Sequence, residues 1–129
     1  MRPRPNFSKY SLLLLKDDKE LYMSRDTGLR PLMMCVEECK DTGCTLFDKV
    51  IGLAAARIIL HTKIIDKVIA GVASEPAIEL LEKNGIKINA AVIVKNILRQ
   101  DRTDICPREK KAMIMSNEEF FNEMKKIYY

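Results

Sequence analysis

TLFDKVIGLAAARIIL, residues 45–60, decides the fold of this chain, because a short apolar strand runs directly into a helix that is apolar almost all round. We predict a strand at 44–47 and a helix at 48–60. Asp48 and Lys49 mark the junction. In open α/β sheets, ligands collect where a strand ends and the next helix begins. The stretch therefore predicts an α/β fold with a ligand position at Asp48 and Lys49.

Strand and helix patterns alternate on both sides of this stretch. Segments 11–16 and 20–24 flank a turn and predict a β-hairpin, and Pro31 suits the start of a helix that runs to about residue 40. Further elements are predicted at 67–73 (strand), 75–83 (helix), 87–94 (strand), 107–115 (helix) and 117–127 (helix). Alternating strands and helices imply parallel pairing through right-handed crossovers. We therefore expect a three-layer α/β/α sandwich: a five-stranded mixed sheet with helices on both faces.

Length and composition are those of a single domain spanning 1–129, with 129 residues of which 47% are hydrophobic. We divide it into a flexible arm at 1–9, a core at 10–111 and a C-terminal helical extension at 112–129. The net charge is +4, but Arg2, Arg4 and Lys9 supply most of the excess. The nearly balanced remainder makes nucleic acid an unlikely partner. The apolar residues of the final segment, such as Phe120 and Met124, cover either the core or a partner subunit, and the second case predicts a homodimer.

The cellular compartment is inferred from cysteine usage and from apolar runs. Four cysteines are too few for a disulfide scaffold of this size. Arg57 interrupts the longest apolar stretch, so a membrane span is not predicted. The apolar run at 12–15 is too short for a signal peptide. We expect a cytoplasmic protein with reduced thiols.

Two predicted helix starts carry polar residues that suit either capping or ligand binding. Asp48 and Ser74 are good N-cap residues, and Glu75 follows Ser74 directly. Lys49 would lie unfavourably in the field of a helix N-terminus unless an anion were nearby. These four residues are therefore candidate contacts for a small ligand.

Cys106 is the candidate catalytic residue. Pro107 suits a first helical position, which places Cys106 at the N-cap with Glu109 three residues later, in the spacing of a capping box. A thiol at a helix N-terminus is activated, although a structural cysteine fits the same pattern. His61, the single histidine, lies at the far end of its predicted helix, so a Cys-His pair is unlikely. Asp104 is a further candidate ligand contact.

A metal or other cofactor is not predicted. Cys35 and Cys39 are one helical turn apart and fit the apolar stripe of their helix, and Cys44 follows five residues later. Structural zinc sites usually have two tighter cysteine pairs that lie on turns.

Four segments carry a resemblance to a known family: DKVIGLAAA at 48–56, ASEPA at 73–77, LLEKNGI at 80–86 and DICPRE at 104–109. Over about residues 10–111 the chain resembles a bacterial and archaeal family of small proteins without an established activity, whose fold is cytidine-deaminase-like. Zinc deaminases need His-x-Glu or Cys-x-Glu at one helix start and Pro-Cys-x-x-Cys at the next. The predicted helix starts at 48 and 74 carry neither motif, so zinc-dependent deamination is unlikely.

Three functions stay open from the sequence. The first is binding of a small anionic or nucleotide-like ligand without catalysis. The second is an enzyme or redox protein that uses the Cys106 thiol, and the third is a structural or interaction protein. The candidate ligand-binding residues are Asp48, Lys49, Ser74, Glu75, Asp104 and Cys106.

Overall fold

A computed structural model describes residues 5–99 and 101–129 and folds them into one sheet and five helices. Residues 1–4 of the predicted arm, and position 100, lie outside the described residues. The strands are β1 (Leu12–Lys16), β2 (Lys19–Ser24), β3 (Cys44–Ile51), β4 (Ile65–Ser74) and β5 (Lys87–Val94). The helices are α1 (Arg30–Glu38), α2 (Leu53–Thr62), α3 (Glu75–Lys83), α4 (Pro107–Ile114) and α5 (Asn117–Tyr128).

The sheet is mixed and has the order β2-β1-β3-β4-β5. β1 is antiparallel to both of its neighbours, whereas β3, β4 and β5 are parallel. Asp17 and Asp18 form the hairpin turn with positive φ angles of 49° and 68°, the conformation that tight hairpins require. The predicted hairpin, the mixed five-stranded sheet and the α/β class are confirmed.

All five helices lie on one face of the sheet. Three successive crossovers, through α1, α2 and α3, advance in the same direction across the sheet, and a right-handed crossover puts each helix on the same side. Each of the other helices contacts α2. The expectation of helices on both faces is therefore wrong for the part of the chain that the structure describes.

The strand β3 is longer than predicted, and this moves the first candidate site residues. Its pairing with β4 continues through Ile51↔Ala73, and α2 begins at Leu53, with an extended Gly52 as its N-cap. Asp48 and Lys49 therefore lie within a strand. The predicted N-cap role of Asp48 is wrong, and so is the argument that Lys49 opposes a helix dipole.

The core surrounds α2, which is buried on nearly every side. Sheet residues such as Leu14 and Leu46 pack beneath it. From the C-terminal extension, Phe120 and Met124 are fully buried in the same core. These two side chains complete the fold of their own chain, so they no longer support a partner surface, and the homo-oligomer stays a prediction.

The lengths and polarities of these helices can be compared with those of a membrane-spanning helix. Across residues 5–99 and 101–129, the helices are all too short or too polar to cross a bilayer.

Candidate functional site

A cavity of about 480 Å³ lies where the end of β3 meets the starts of α1 and α2. Its wall is completed by the loop before α1, by the first turn of α4 and by the end of α5. The lining is mainly apolar, with a few polar groups. This volume is within the range of pockets that hold small organic molecules. We call it the α1–α2 cavity.

Asp48 is the titratable group on the sheet side of the α1–α2 cavity. Burial raises the pKa of its carboxyl to about 8, against the opposing effect of the backbone N–H groups of Val50 and Lys49. The Val50 N–H donates to Oδ1 at 3.5 Å, a long bond. Protein atoms surround the carboxyl closely, while the open cavity still admits water to it. At neutral pH the Asp48 carboxyl is therefore protonated in most of the protein molecules. In this form it can both donate and accept a hydrogen bond.

Glu109 caps α2 from a different helix. Its carboxylate is 4% exposed and accepts from the backbone N–H groups of Leu53 at 2.7 Å and Ala54 at 2.6 Å. These amides open α2, whose N-cap Gly52 has no side chain to offer them. Burial raises the pKa of Glu109, while the two amide bonds oppose that rise. Glu109 thus supplies the negative charge that the α2 N-terminus favours.

Gly52 makes this cap possible. A Cβ atom at this position would overlap the Glu109 carboxylate and would lie 2.8 Å from Cγ1 of Ile97. Position 52 therefore requires glycine because the Glu109 carboxylate, which is far away in the sequence, lies directly against it.

Cys106 lines the α1–α2 cavity and is half-buried. It is the N-cap of α4, as predicted, but its thiol makes no capping hydrogen bond. Its backbone N–H donates to the carbonyl of Ile97 at 3.0 Å. The predicted capping box with Glu109 is therefore wrong. His61 stacks on Phe121, with ring centroids 4.2 Å apart, at the other end of α2, so the histidine is not a partner for the thiol.

Two arginines approach one aromatic ring in the wall of the α1–α2 cavity. The guanidinium carbons of Arg30 and Arg108 lie 5.9 Å and 5.8 Å from the ring centroid of Tyr128, within the range of cation–π attraction. Arg108 and Tyr128 line the cavity, and Arg30 is the first residue of α1. Among the described residues, neither arginine has a carboxylate within ion-pair distance.

The start of α1 faces the same cavity. Leu29 is its N-cap and Pro31 its second residue, and both line the cavity. Within the described chain, no side chain caps this end and no acidic residue lies in the first turn. The exposed amides and the helix dipole therefore add to the positive potential there.

The second predicted helix start lies outside the cavity. Ser74 is buried and caps α3, because its Oγ accepts from the N–H of Ala77 at 3.3 Å. Glu75 is exposed in the first turn of the same helix. Neither residue lines the α1–α2 cavity, so their ligand-binding role stays a prediction.

Asp104 and Lys49 are the remaining candidates. Asp104 is exposed and outside the cavity lining, and its carboxylate accepts from Nζ of Lys110 at 2.5 Å. This hydrogen bond holds the pKa of Asp104 below its ordinary value. Lys49 is exposed but contributes to the cavity lining. The structure thus brings three of the six candidates together, namely Asp48, Lys49 and Cys106.

Nowhere in residues 5–99 and 101–129 do three His, Cys, Asp or Glu side chains come close enough to hold an ion.

The sequence analysis missed the roles of Arg30, Arg108 and Tyr128, and assigned Glu109 to the wrong helix. Local spacing carries no signal for these contacts, because each joins segments far apart in the chain. The lack of any capping side chain before Leu53 was the one available indication that a distant carboxylate is needed.

Comparison with known proteins assigns the chain to a family. The search of curated proteins returned no match. The crystal structure of a DUF1893 family protein, TM1506 from Thermotoga maritima, is similar with a TM-score of 0.84 and 27% sequence identity, over 94% of this chain and 82% of that chain. The family model described as "TM1506: Domain of unknown function (DUF1893)" matches residues 6–127. The chain therefore belongs to the DUF1893 family.

Proposed function

We propose that this protein binds a small anionic or nucleotide-like molecule in the α1–α2 cavity. The observation that carries the proposal is the cavity itself: about 480 Å³, mainly apolar, with a few polar groups at its wall. Concave sites of this size and composition are the usual binding positions for small molecules. Asp48 supplies a hydrogen-bonding group on the sheet side, and Cys106, the N-cap of α4, also lines the cavity.

The fold is, in this proposal, cytidine-deaminase-like. The strand order β2-β1-β3-β4-β5 with one antiparallel strand and the cavity between two helix starts support this view. Because β3 runs to Ile51, the helix starts that share the cavity are those of α1 and α2, rather than those predicted at 48 and 74. They read Thr27-Gly-Leu-Arg-Pro31 and Gly52-Leu-Ala54. Neither contains the His, Cys or Glu of the zinc deaminase motifs, which favours binding over hydrolytic deamination.

An enzyme that uses Cys106 is the alternative, favoured by the position of its thiol on the cavity wall. This function predicts that iodoacetamide alkylates Cys106 faster than a thiol in an unfolded peptide at neutral pH. A slower reaction than in the peptide would contradict the alternative.

Binding can be tested by thermal shift with a panel of nucleotides, phosphorylated metabolites and small acids. Asp48→Ala removes the hydrogen-bonding group inside the cavity. Asp66→Ala removes an exposed carboxylate outside the cavity lining and serves as the control. For a compound that raises Tm, we expect Asp48→Ala to weaken affinity about threefold to tenfold, the equivalent of one hydrogen bond. The control should bind as the wild type does. Equal affinity in both variants, or no shift with any compound, would contradict binding at this cavity.

A further inference from the structure

We propose that the ligand of the α1–α2 cavity carries a phosphate group, bound by Arg30 and Arg108 beside the start of α1. This inference rests on the proposed function and adds the chemical class of the ligand and the position of its charged end.

The two guanidinium groups are the first observation. Their guanidinium carbons lie 5.9 Å and 5.8 Å from the centroid of the Tyr128 ring, so both cations lie beside the same part of the cavity lining. In residues 5–99 and 101–129 no carboxylate pairs with either one. A bound anion would supply a partner for both charges. The planar fork of an arginine donates two parallel N–H bonds to a phosphate, and such charge-assisted bonds are among the strongest in proteins.

The acids that line the cavity do not cancel this positive charge. The Glu109 carboxylate is already bound by two amides of α2, and the Asp48 carboxyl is mostly uncharged at neutral pH. Asp26 is the remaining acid in the lining, which also contains Arg108 and Lys49, and Arg30 lies beside the lining at the Tyr128 ring. The three cations outnumber the charged Asp26 and Glu109, and the uncapped start of α1 adds to the positive potential.

The apolar part of the cavity lining indicates which organic group the ligand carries besides its phosphate. Ala55 and Ile97 contribute to a mainly apolar lining that also contains Arg108. An apolar or aromatic group that packs against this lining leaves water, while its phosphate contacts the arginines. A phosphate ester of an organic group fits both parts, whereas inorganic phosphate would contact only the arginines.

The test uses phenyl phosphate as the probe, with inorganic phosphate and phenol as its two halves and benzoate as a carboxylate of similar size. Binding is measured by isothermal titration calorimetry at low ionic strength. Arg30→Gln and Arg108→Gln remove the guanidinium groups one at a time. Arg99→Gln removes an exposed arginine outside the cavity lining and is the matched control.

We expect phenyl phosphate to bind more tightly than phenol, inorganic phosphate or benzoate. Arg30→Gln and Arg108→Gln should each weaken its binding about tenfold, and Arg99→Gln should leave it unchanged. Arg108→Lys keeps the charge without the fork and should give an intermediate affinity. Circular dichroism confirms that the variants are folded.

Two results would overturn the inference. One is unchanged phenyl phosphate binding in the Arg30→Gln/Arg108→Gln double variant. The other is the absence of saturable binding up to about 10 mM. If uncharged or carboxylate compounds nevertheless bind and Asp48→Ala weakens them, the proposed function stands and only the phosphate assignment fails.

Discussion

Replacement of Asp48 by asparagine should remove a pH dependence of stability that the wild-type protein has. The carboxyl has an ordinary pKa of 3.8 in the unfolded chain and about 8 in the folded one. The folded state therefore binds this proton more tightly. Its contribution to the free energy of unfolding is complete below pH 4, and it is lost as the pH rises through 8.

The magnitude follows from the size of the shift. One pKa unit corresponds to 1.36 kcal/mol, so wild-type stability should fall relative to Asp48→Asn by up to about 1.4 kcal/mol per pH unit between pH 4 and pH 8. The full shift sets a ceiling of about 6 kcal/mol. A folded pKa near 8 therefore predicts a loss of several kcal/mol across this range.

Urea unfolding at a series of pH values measures this loss directly. Asparagine keeps the size and polarity of the side chain but has no proton to lose, so its curve should lie above that of the wild type at high pH. Asp104→Asn is the control, because that exposed carboxyl titrates below this pH range. Wild-type and Asp48→Asn curves that stay parallel within about 0.5 kcal/mol from pH 4 to pH 8 would refute the argument.

Two further predictions concern the cap of α2. Glu109→Ala should lower the free energy of unfolding by about 3–5 kcal/mol, because two buried amides lose their acceptor. Glu118→Ala, on the exposed side of α5, is the control and should change it little. An equal effect of both substitutions in urea unfolding would contradict the cap. Gly52→Ala should cost about 1–3 kcal/mol through overlap with the Glu109 carboxylate. It should cost clearly less in a Glu109→Ala background, so additive losses would show that the two positions do not touch.

Local patterns were enough to predict much of the fold. The turn at Asp17 and Asp18, the bounds of α3 and β5, and the N-cap roles of Ser74 and Cys106 all depend on neighbouring residues, and all were predicted correctly. The end of β3 was not, because Asp48 resembles an N-cap in sequence. Pairing with β4 extended the strand past that signal, since ladder hydrogen bonds and burial outweigh a local capping preference.

The layer arrangement and the site depend on contacts between distant segments. The packing of α5 on α2 buries Phe120 and Met124, but the sequence does not indicate which residues these side chains contact. Likewise, the contact of Glu109 with α2 joins segments that are far apart in the sequence. The same is true of the contacts of Arg30 and Arg108 with the Tyr128 ring. Residue spacing therefore predicted Asp48, Lys49 and Cys106, which line the α1–α2 cavity, but it did not indicate Arg30 or Arg108 beside them.

A titration of phenyl phosphate followed by ¹⁵N–¹H chemical shifts tests binding at the α1–α2 cavity most directly. Saturating shifts should be confined to the cavity lining, above all to the amides of Gly28, Leu29, Gly52 and Tyr128. Saturating shifts that cluster on another surface, with these four amides unmoved, would contradict the account.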